Sequence, residues 1–205
     1  MFTGRYIAVT PLNAEAHSSD LWQRIGGENN AELWRYMFDG PYSDRESFDK
    51  AMRGKASASD QRFHALLDAK TGAALGYAAF LREEKAHRVI EVGNIVYSPE
   101  LQRTRAATEA MYLMARHVFE DLGYRRYEWK CNALNEPSRR AALRLGFTFE
   151  GIFRQHMIVK AANRDTAWFA MLDSEWPARR AEFERWLAPS NFDENGLQET
   201  PLIQR

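Results

Sequence analysis

The segment 89–146 alternates strand-like and helix-like patterns, and this alternation limits the possible folds more than any other feature of the chain. Val89–Tyr97 is apolar, 106–121 carries apolar side chains at helical spacing before Gly123, and Tyr127–Cys131 is again typical of a strand. Two strands joined through one helix are predicted to be parallel neighbours with a right-handed crossover. The crossover helix then begins at the carboxyl end of a strand, where ligands bind in open α/β sheets.

The flanking segments extend this to a mixed α/β (α+β) pattern. The N-terminal elements are predicted at Arg5–Pro11 (strand), Ala14–Ile25 and Ala31–Met37 (helices), a third helix from a capping box at Ser43 and Glu46 to Ser57, and strands at Arg62–Leu67 and Ala73–Leu81. The C-terminal ones are a helix opened by Asn135, strands at Phe147–Val159 and Thr166–Leu172, and a helix at Ser174–Leu187.

We therefore expect a single domain over residues 1–187. Its central sheet should be mixed, with about six to seven strands, and flanked by helices. Residues 188–205 are polar and contain Pro189 and Pro201, which predicts a tail that is poorly ordered or lies on a partner.

The charge balance argues against some classes of function. The chain has 28 Lys and Arg against 28 Asp and Glu, which disfavours a nucleic-acid coat or a polybasic membrane binder. Cys131 is the single cysteine and Met1–Tyr6 lacks the layout of a signal peptide, so we expect a cytoplasmic protein. The five histidines form no i, i+4 pair, and no metal site is predicted.

Basic residues are concentrated around the two crossover helices. Residues 101–160 hold 11 Lys and Arg but 6 Asp and Glu. A helix N-terminus in this region would suit a polyanionic small ligand such as a nucleotide or pyrophosphate, because free backbone N–H groups and the positive end of the helix dipole meet there. Ordinary solvated charge on helix faces is the alternative.

Three motifs carry a resemblance to a known family. They are Ile90-Glu91-Val92-Gly93, Gln102-Arg103-Thr104-Arg105-Ala106-Ala107-Thr108-Glu109-Ala110, and Asn135-x-x-Ser138 followed by Leu145-Gly146-Phe147. With these motifs the chain resembles the GNAT superfamily of N-acetyltransferases, and more narrowly the branch containing the ribosomal-protein N-terminal acetyltransferases. The likeness in element order extends from about Arg5 to Leu172.

The resemblance implies that acetyl-CoA binds in a cleft where the strands Val89–Tyr97 and Tyr127–Cys131 splay apart. The cofactor-binding residues that it implies are Ile95, Val96 and Tyr97 for pantetheine, Gln102, Arg103, Thr104, Arg105, Ala106 and Ala107 for the pyrophosphate, and Asn135 and Ser138. The family has glycine where Arg105 stands. Glycine permits a positive φ and a close approach of phosphate, whereas Arg103 and Arg105 offer charge and bidentate donors.

The resemblance also implies direct attack of an amine on the thioester. This reaction needs a base for the ammonium proton and an acid for the leaving thiolate. Glu91 is the candidate base, directly or through a water, and the alternative is a cross-strand partner of a basic residue. Ser138 is the candidate acid or a CoA contact, although Asn135 as N-cap and Ser138 in the first turn would also explain both residues. Ala142 replaces the tyrosine acid of many relatives, which leaves Ser138, another tyrosine such as Tyr97, or water.

Acceptor specificity is expected from aromatic and charged residues outside these motifs. The candidates are Trp34, Tyr36, Phe38 and Tyr42 in one loop region and Arg154, His156 and Trp168 on the late strands. They would form an aromatic pocket with a charged recognition point, or else belong to the core. If Arg154 faces the cleft, an acceptor with a carboxylate is favoured.

Three functions therefore remain open. The first is an acetyl-CoA-dependent N-acetyltransferase for a small amine, an amino acid or a peptide N-terminus. The second is a non-catalytic CoA-binding or regulatory module. In the third, the helix Ser174–Leu187 docks a partner through its aromatic side chains Trp176, Phe183 and Trp186 together with Leu187. We expect a monomer or a homodimer.

Overall fold

One mixed eight-stranded sheet organises the computed structural model, which describes residues 1–194 and 196–203. The strands are β1 (Phe2–Thr3), β2 (Ile7–Pro11), β3 (Gln61–Asp68), β4 (Ala74–Glu84), β5 (Val89–Tyr97), β6 (Arg126–Asn132), β7 (Thr148–Val159) and β8 (Ala162–Leu172). The α-helices are α1 (Ala14–Ile25), α2 (Arg45–Ala56), α3 (Arg105–Arg116), α4 (Glu136–Arg144) and α5 (Trp176–Leu187). The mixed α+β architecture is thus confirmed, and the sheet is slightly larger than expected because Phe2–Thr3 pairs with β2.

The strand order is β1-β2-β3-β4-β5-β6-β8-β7. β5 and β6 are parallel, as the crossover pattern predicted, and the other neighbouring strands are antiparallel. β8 lies between β6 and β7, and the β7–β8 hairpin continues past the last β6 pair, Asn132 with Thr166, to Val159 and Ala162.

Two of the N-terminal helices differ from the sequence prediction. Asp44, and not Ser43, caps α2, since its Oδ1 accepts a hydrogen bond of 2.8 Å from the backbone N–H of Ser47. The capping box predicted at Ser43 and Glu46 is therefore wrong by one residue. The helix expected at Ala31–Met37 is a 3₁₀ helix at Glu28–Trp34.

The sheet has a hydrophobic core on each face. The first core packs β2, β5, β6 and β8 against α3 and α5, with Tyr127 and Phe169 among its largest buried residues. The second lies under α1 and α2 around Trp34 and Tyr77. In α5, the side chains of Trp176, Phe183 and Trp186 are buried in the first core, so these aromatic side chains are not available to dock a partner. This corrects the third interpretation above.

Glu109 on α3 fixes the N-terminal strands to the first core. Its carboxylate is buried and accepts hydrogen bonds from the backbone N–H groups of Arg5, Tyr6 and Ile7 at 2.8, 2.6 and 3.0 Å. Charge-assisted bonds of this kind are about twice as strong as neutral ones. The Thr-Glu-Ala motif at the start of α3 therefore has a structural role.

The described part of the C-terminal segment packs back on the domain, contrary to the expected poorly ordered tail. Leu202 is 2% exposed in the first core. Asn191 Oδ1 accepts a hydrogen bond of 3.0 Å from the backbone N–H of Thr200. Residues 195, 204 and 205, which belong to the same prediction, lie outside the described residues. Among the described residues no helix is long and apolar enough to cross a membrane.

Buried His64 on β3 predicts a pH-dependent stability. Burial lowers its pKa to about 4 from the ordinary 6.5, so between these values the unfolded chain binds a proton that the folded chain does not. Stability must therefore fall as the pH falls through this window. We expect a loss of about 2 kcal/mol in the free energy of unfolding between pH 7 and pH 5 that is absent in His64→Gln, measured by urea denaturation. The same pH slope in both proteins would contradict this assignment.

Candidate active site

β5 and β6 separate in the middle of the sheet. Their parallel pairing ends at Val92 and Trp129. Immediately afterwards β5 advances three residues, from Gly93 to Val96, while β4 advances two, and Asn94 has a φ of 48°. This bulge opens a cleft between the two strands, at the place predicted for the splay. Beyond it, Val96 and Tyr97 pair with β4 on one side and have no strand on the side of β6.

The N-terminus of α3 lies after this open end of β5. Thr104 caps the helix, since its Oγ1 accepts a hydrogen bond of 3.1 Å from the backbone N–H of Ala107. Gln102 Nε2 donates to the carbonyl oxygen of Tyr97 at 3.2 Å and so ties the loop to β5. The first backbone N–H groups of a helix have no acceptor within the helix, so those of Arg105 and Ala106 are available to an anion.

The positive φ in this loop belongs to Arg103 and not to Arg105. Arg103 has a φ of 62°, and Arg105 is the first residue of α3. Arginine in place of the family's glycine is therefore compatible with the backbone. The guanidinium carbon of Arg105 lies 4.5 Å from the ring centre of Phe192 and 5.0 Å from that of Tyr6. These cation–π contacts compete with the phosphate-binding role predicted for its side chain.

Glu91 lies at the mouth of the cleft within a buried charge cluster. The residue is 4% exposed, and its Oε2 lies 3.0 Å from Lys130 Nζ and 3.5 Å from Arg82 Nη1. Lys130 Nζ also lies 2.7 Å from Glu128 Oε2 and 3.9 Å from the ring centre of Trp168. Burial raises the pKa of Glu91, and the charges of Lys130 and Arg82 oppose this. The cross-strand pair that the sequence left open is therefore present, on a carboxylate that also lines the cavity.

Ser138 and Asn135 line the same cavity from the start of α4. Asn135 is the N-cap, with its Oδ1 accepting from the backbone N–H of Ser138 at 3.2 Å. Ser138 Oγ accepts a hydrogen bond of 3.0 Å from Trp129 Nε1. Cys131 lies beside them, and burial raises the pKa of its thiol. Asn135 is therefore the N-cap of α4, as the alternative explanation predicted, and Ser138 nevertheless lines the cavity.

Tyr97, the tyrosine considered as an alternative acid, lies outside the cavity. The hydroxyl of Tyr97 is buried in the first core, accepts no hydrogen bond within the described residues, and does not line the cavity. Burial raises its pKa. Ala142, at the position of the family tyrosine, is fully buried.

The cavity is closed by two segments held by long-range hydrogen bonds. The loop at 36–38 contributes Tyr36 and Phe38, and the Tyr36 hydroxyl donates to the carbonyl oxygen of Leu134 at 3.1 Å. From the other side, Lys160 at the tip of the β7–β8 hairpin donates to the carbonyl oxygen of Trp34 at 2.8 Å. A second, more open depression continues from this cavity along α2 and β3, past Lys55.

Only some of the predicted acceptor residues meet at this cavity. Tyr36 lines it, and Trp168 lies under Lys130. Trp34 is fully buried in the second core, where its Nε1 donates to the carbonyl oxygen of Ile25 at 2.8 Å. Tyr42 packs edge-on against Trp34, and its hydroxyl donates to Asp39 at 2.8 Å.

Arg154 is exposed and does not line the cavity. It follows Phe153, which pairs with the cavity-lining Thr166, so the alternation of the strand directs Arg154 to the opposite face. Between the pairs Phe153–Thr166 and Met157–Arg164, β7 advances four residues while β8 advances two. The extra residues include Gln155, whose φ is 50° and whose backbone N–H donates to Asp165 at 2.7 Å.

Sequence reasoning missed Lys130 and Arg164, which both line the cavity. The alternation of side chains along β8 could have indicated that Arg164 faces the cavity. Arg164, Thr166 and Trp168 share one face of this strand, while Ala167 and Phe169 on the other face belong to the first core.

Comparisons with known proteins agree with this architecture. The sequence profile of the family described as acetyltransferase (GNAT) domain matches residues 9–148. A GCN5-related N-acetyltransferase from Brucella melitensis has 46% sequence identity and a TM-score of 0.95, covering 98% of this chain and 91% of its own. A probable acetyltransferase of the GNAT family from Chromobacterium violaceum has 38% identity and a TM-score of 0.80, covering 86% of this chain and 87% of its own. The Bacillus subtilis protein YnaD, named an uncharacterized N-acetyltransferase, is 22% identical over 156 residues, 76% of this chain and 89% of YnaD.

Lys130 is predicted to stabilise the ionised form of the buried Glu91 carboxylate. In Lys130→Met, Glu91 and Glu128 lose their shared cation, and we expect the free energy of unfolding at pH 7 to fall by about 3 kcal/mol. The loss should shrink at pH 5, because the folded-state pKa of Glu91 rises further and protonation removes the buried charge. Urea denaturation at both pH values measures this, with exposed Lys50→Met as the control. An equal loss at pH 7 and pH 5 would rule out the electrostatic cause.

Proposed function

The chain belongs to the GNAT acetyltransferase family, and on this premise we propose that it transfers an acetyl group from acetyl-CoA to a primary amine by direct attack of the amine on the thioester. The observation that supports this most is the buried carboxylate of Glu91 at the point where β5 and β6 separate. A base is needed there to take the proton that the acceptor ammonium must lose. The acceptor would be a small molecule, an amino acid or a peptide N-terminus.

The open side of β5 and the start of α3 fit acetyl-CoA. The backbone groups of Ile95, Val96 and Tyr97 beyond the bulge have no strand partner on the β6 side and would bind pantetheine. The loop Gln102–Ala107 presents free helix N–H groups, and Arg103 is an exposed cation beside them. Asn135 and Ser138 would contact the cofactor from α4. Bound there, acetyl-CoA supplies the activated thioester.

Glu91 would accept the proton of the acceptor ammonium, directly or through a water. Burial raises its pKa, which makes the carboxylate a better base than an exposed glutamate. Lys130 and Arg82 contact the same oxygen and favour the ionised form that a base requires. The pair with Lys130 thus tunes the proposed base and does not replace it.

Ser138 would supply the proton for the leaving thiolate. The Trp129 indole N–H donates to Ser138 Oγ, so Ser138 keeps its own hydroxyl proton for donation, with the Cys131 thiol as the neighbouring hydrogen-bond partner. Both residues line the cavity, on the side of α4. The alternative is a non-catalytic CoA-binding or regulatory module, favoured by Ala142 at the tyrosine position, and it predicts cofactor binding without thiol release.

Calorimetric titration with acetyl-CoA separates the roles of the two loop arginines. We expect Arg103→Ala to weaken binding about fivefold, because an exposed cation beside the helix N-terminus is lost. Arg105→Ala should change the dissociation constant less than Arg103→Ala does, since its side chain contacts Tyr6 and Phe192. If Arg105→Ala weakened binding more than Arg103→Ala, Arg105 would be the residue that contacts the phosphate. Failure of the wild type to bind acetyl-CoA would contradict the proposed function.

Replacing Glu91 tests the proposed base. We expect Glu91→Gln to lower kcat for acetyl transfer by about 10²- to 10⁴-fold and to leave acetyl-CoA affinity unchanged, because general-base catalysis contributes rate enhancements of this size. In the wild type, kcat/KM should fall as the pH drops through the raised pKa of Glu91. Thiol release from acetyl-CoA with a panel of amino acids, short peptides and polyamines measures both.

Glu128→Gln is the matched control, because Glu128 also pairs with Lys130 but does not line the cavity. A similar decrease in kcat for both variants would indicate a general effect of the charge cluster. Full activity in Glu91→Gln would exclude Glu91 as the base.

A further inference from the structure

We propose that the acceptor amine carries a carboxylate of its own and that Arg164 binds this carboxylate. This inference rests on the proposed acetyl transfer and adds the substrate class. The carboxylate would be the α-carboxylate of an amino acid or the side-chain carboxylate of an acidic first residue in a short peptide. Arg164 would thus be a specificity residue at the acceptor end of the cavity.

Arg164 is a buried cation without an anionic contact. It is 6% exposed and lines the cavity, and its Nε is buried without a hydrogen-bond acceptor. Within the part of the chain that the structure describes, its guanidinium makes no hydrogen bond and no ion pair. The ring centre of Phe38 lies 4.8 Å from the guanidinium carbon, and Glu91 acts on Arg164 electrostatically without forming an ion pair with it. The other two cavity cations, Arg82 and Lys130, both contact Glu91.

This arrangement matches what a carboxylate requires. Burial of an unpaired charge is unfavourable, so the free-energy gain from an incoming anion is large. A guanidinium that contacts an aromatic ring can still use the donors in its own plane, and these form paired hydrogen bonds with a carboxylate. Phe38 and the strand β8 hold Arg164 before the ligand binds, which reduces the entropy lost on binding.

The position of Arg164 suits an acceptor with both charges. Arg164 lies on the same face of β8 as Trp168, whose ring contacts Lys130 beside Glu91. Because β6 ends at Asn132, opposite Thr166, Arg164 lies just beyond the end of β6, at the open part of the cavity. An acceptor that directs its ammonium towards Glu91 can therefore direct a carboxylate towards Arg164.

The charges of the cavity wall disfavour an acceptor that carries several positive charges. Arg82, Lys130 and Arg164 provide three positive charges among the lining residues, against one negative charge from Glu91. His156 adds no charge at neutral pH, since burial lowers its pKa. A polyamine would bring several positive charges into this cavity, whereas an amino acid or an acidic peptide brings a compensating negative charge.

Matched acceptors test the proposal in the full-length protein. Thiol release from acetyl-CoA is measured with alanine against alaninamide, and with Asp-Ala-amide against Asn-Ala-amide. We expect kcat/KM to be about 10- to 100-fold higher for one of the two acids than for its amide, because the binding free energy of a hydrogen bond to a charged group corresponds to a factor of this size. The pair that shows the preference identifies the source of the carboxylate.

Variants assign the preference to one residue. In Arg164→Gln the acid preference should fall to within about threefold through a higher acceptor KM, with the KM for acetyl-CoA unchanged. Arg164→Lys should retain part of it, since lysine keeps the charge but loses the paired donors. Arg154→Gln, an exposed arginine on β7, is the matched control and should keep the full preference. Because Arg164→Gln removes an unpaired buried charge, its melting temperature should not fall.

The possible results separate this inference from the proposed function. Transfer without an acid preference, or a preference that survives in Arg164→Gln, overturns the inference and leaves acetyl transfer intact. If no acceptor supports transfer, the proposed function fails, and saturation-transfer NMR then decides the inference with N-acetylalanine and N-acetylalaninamide as probes. Binding of the acid alone, lost in Arg164→Gln, supports a carboxylate site. Equal binding of both probes, or binding of neither, overturns it.

Discussion

The bulge in β5 at Gly93 and Asn94 is the constraint on which the whole site depends. Without it, β5 and β6 would continue their parallel pairing past Val92, and the backbone groups beyond would be occupied by a neighbouring strand. The bulge is held by Asn94, whose side chain donates to Gln61 Oε1 on β3 at 2.5 Å. The unpaired polar backbone groups of the open strand are tolerable only where water or a ligand can satisfy them.

The charge cluster at this opening is stable because its charges are shared. Lys130 contacts Glu91 and Glu128, and Arg126 contacts Glu128 at 2.7 Å and also Glu150. Each buried carboxylate therefore has a cation, which offsets the desolvation that raises the pKa of Glu91. Arg164 is the exception in this region, since its guanidinium makes no hydrogen bond or ion pair among the described residues and contacts the ring of Phe38. This contrast within one cavity is the basis for the proposal that Arg164 binds a ligand.

The sequence predicted the frame of this molecule well and the surroundings of its candidate acceptor residues poorly. Hydrophobic period and helix signals located α1, the meander of β3 to β5 and the parallel neighbours β5 and β6, because these depend on local patterns. Trp34 and Arg154 were chosen by residue type, but their environment depends on tertiary packing and on the register between β7 and β8. The register of β7 against β8 decides which side chains of β7 face the cavity, and no local pattern predicted that register.

The residues proposed for the reaction lie on both faces of the sheet. Trp129 and Cys131 direct their side chains to the face of α3, α4 and Ser138, whereas Lys130 lies between them in sequence and directs its side chain to the opposite face with Glu91. A paired sheet would keep these two groups apart. Because β6 has lost its neighbour at this point, the cavity extends through the sheet, and one molecule on each face can meet there. The proposed base Glu91 and Arg164 therefore lie on one face of the sheet, and the proposed acid Ser138 lies on the other.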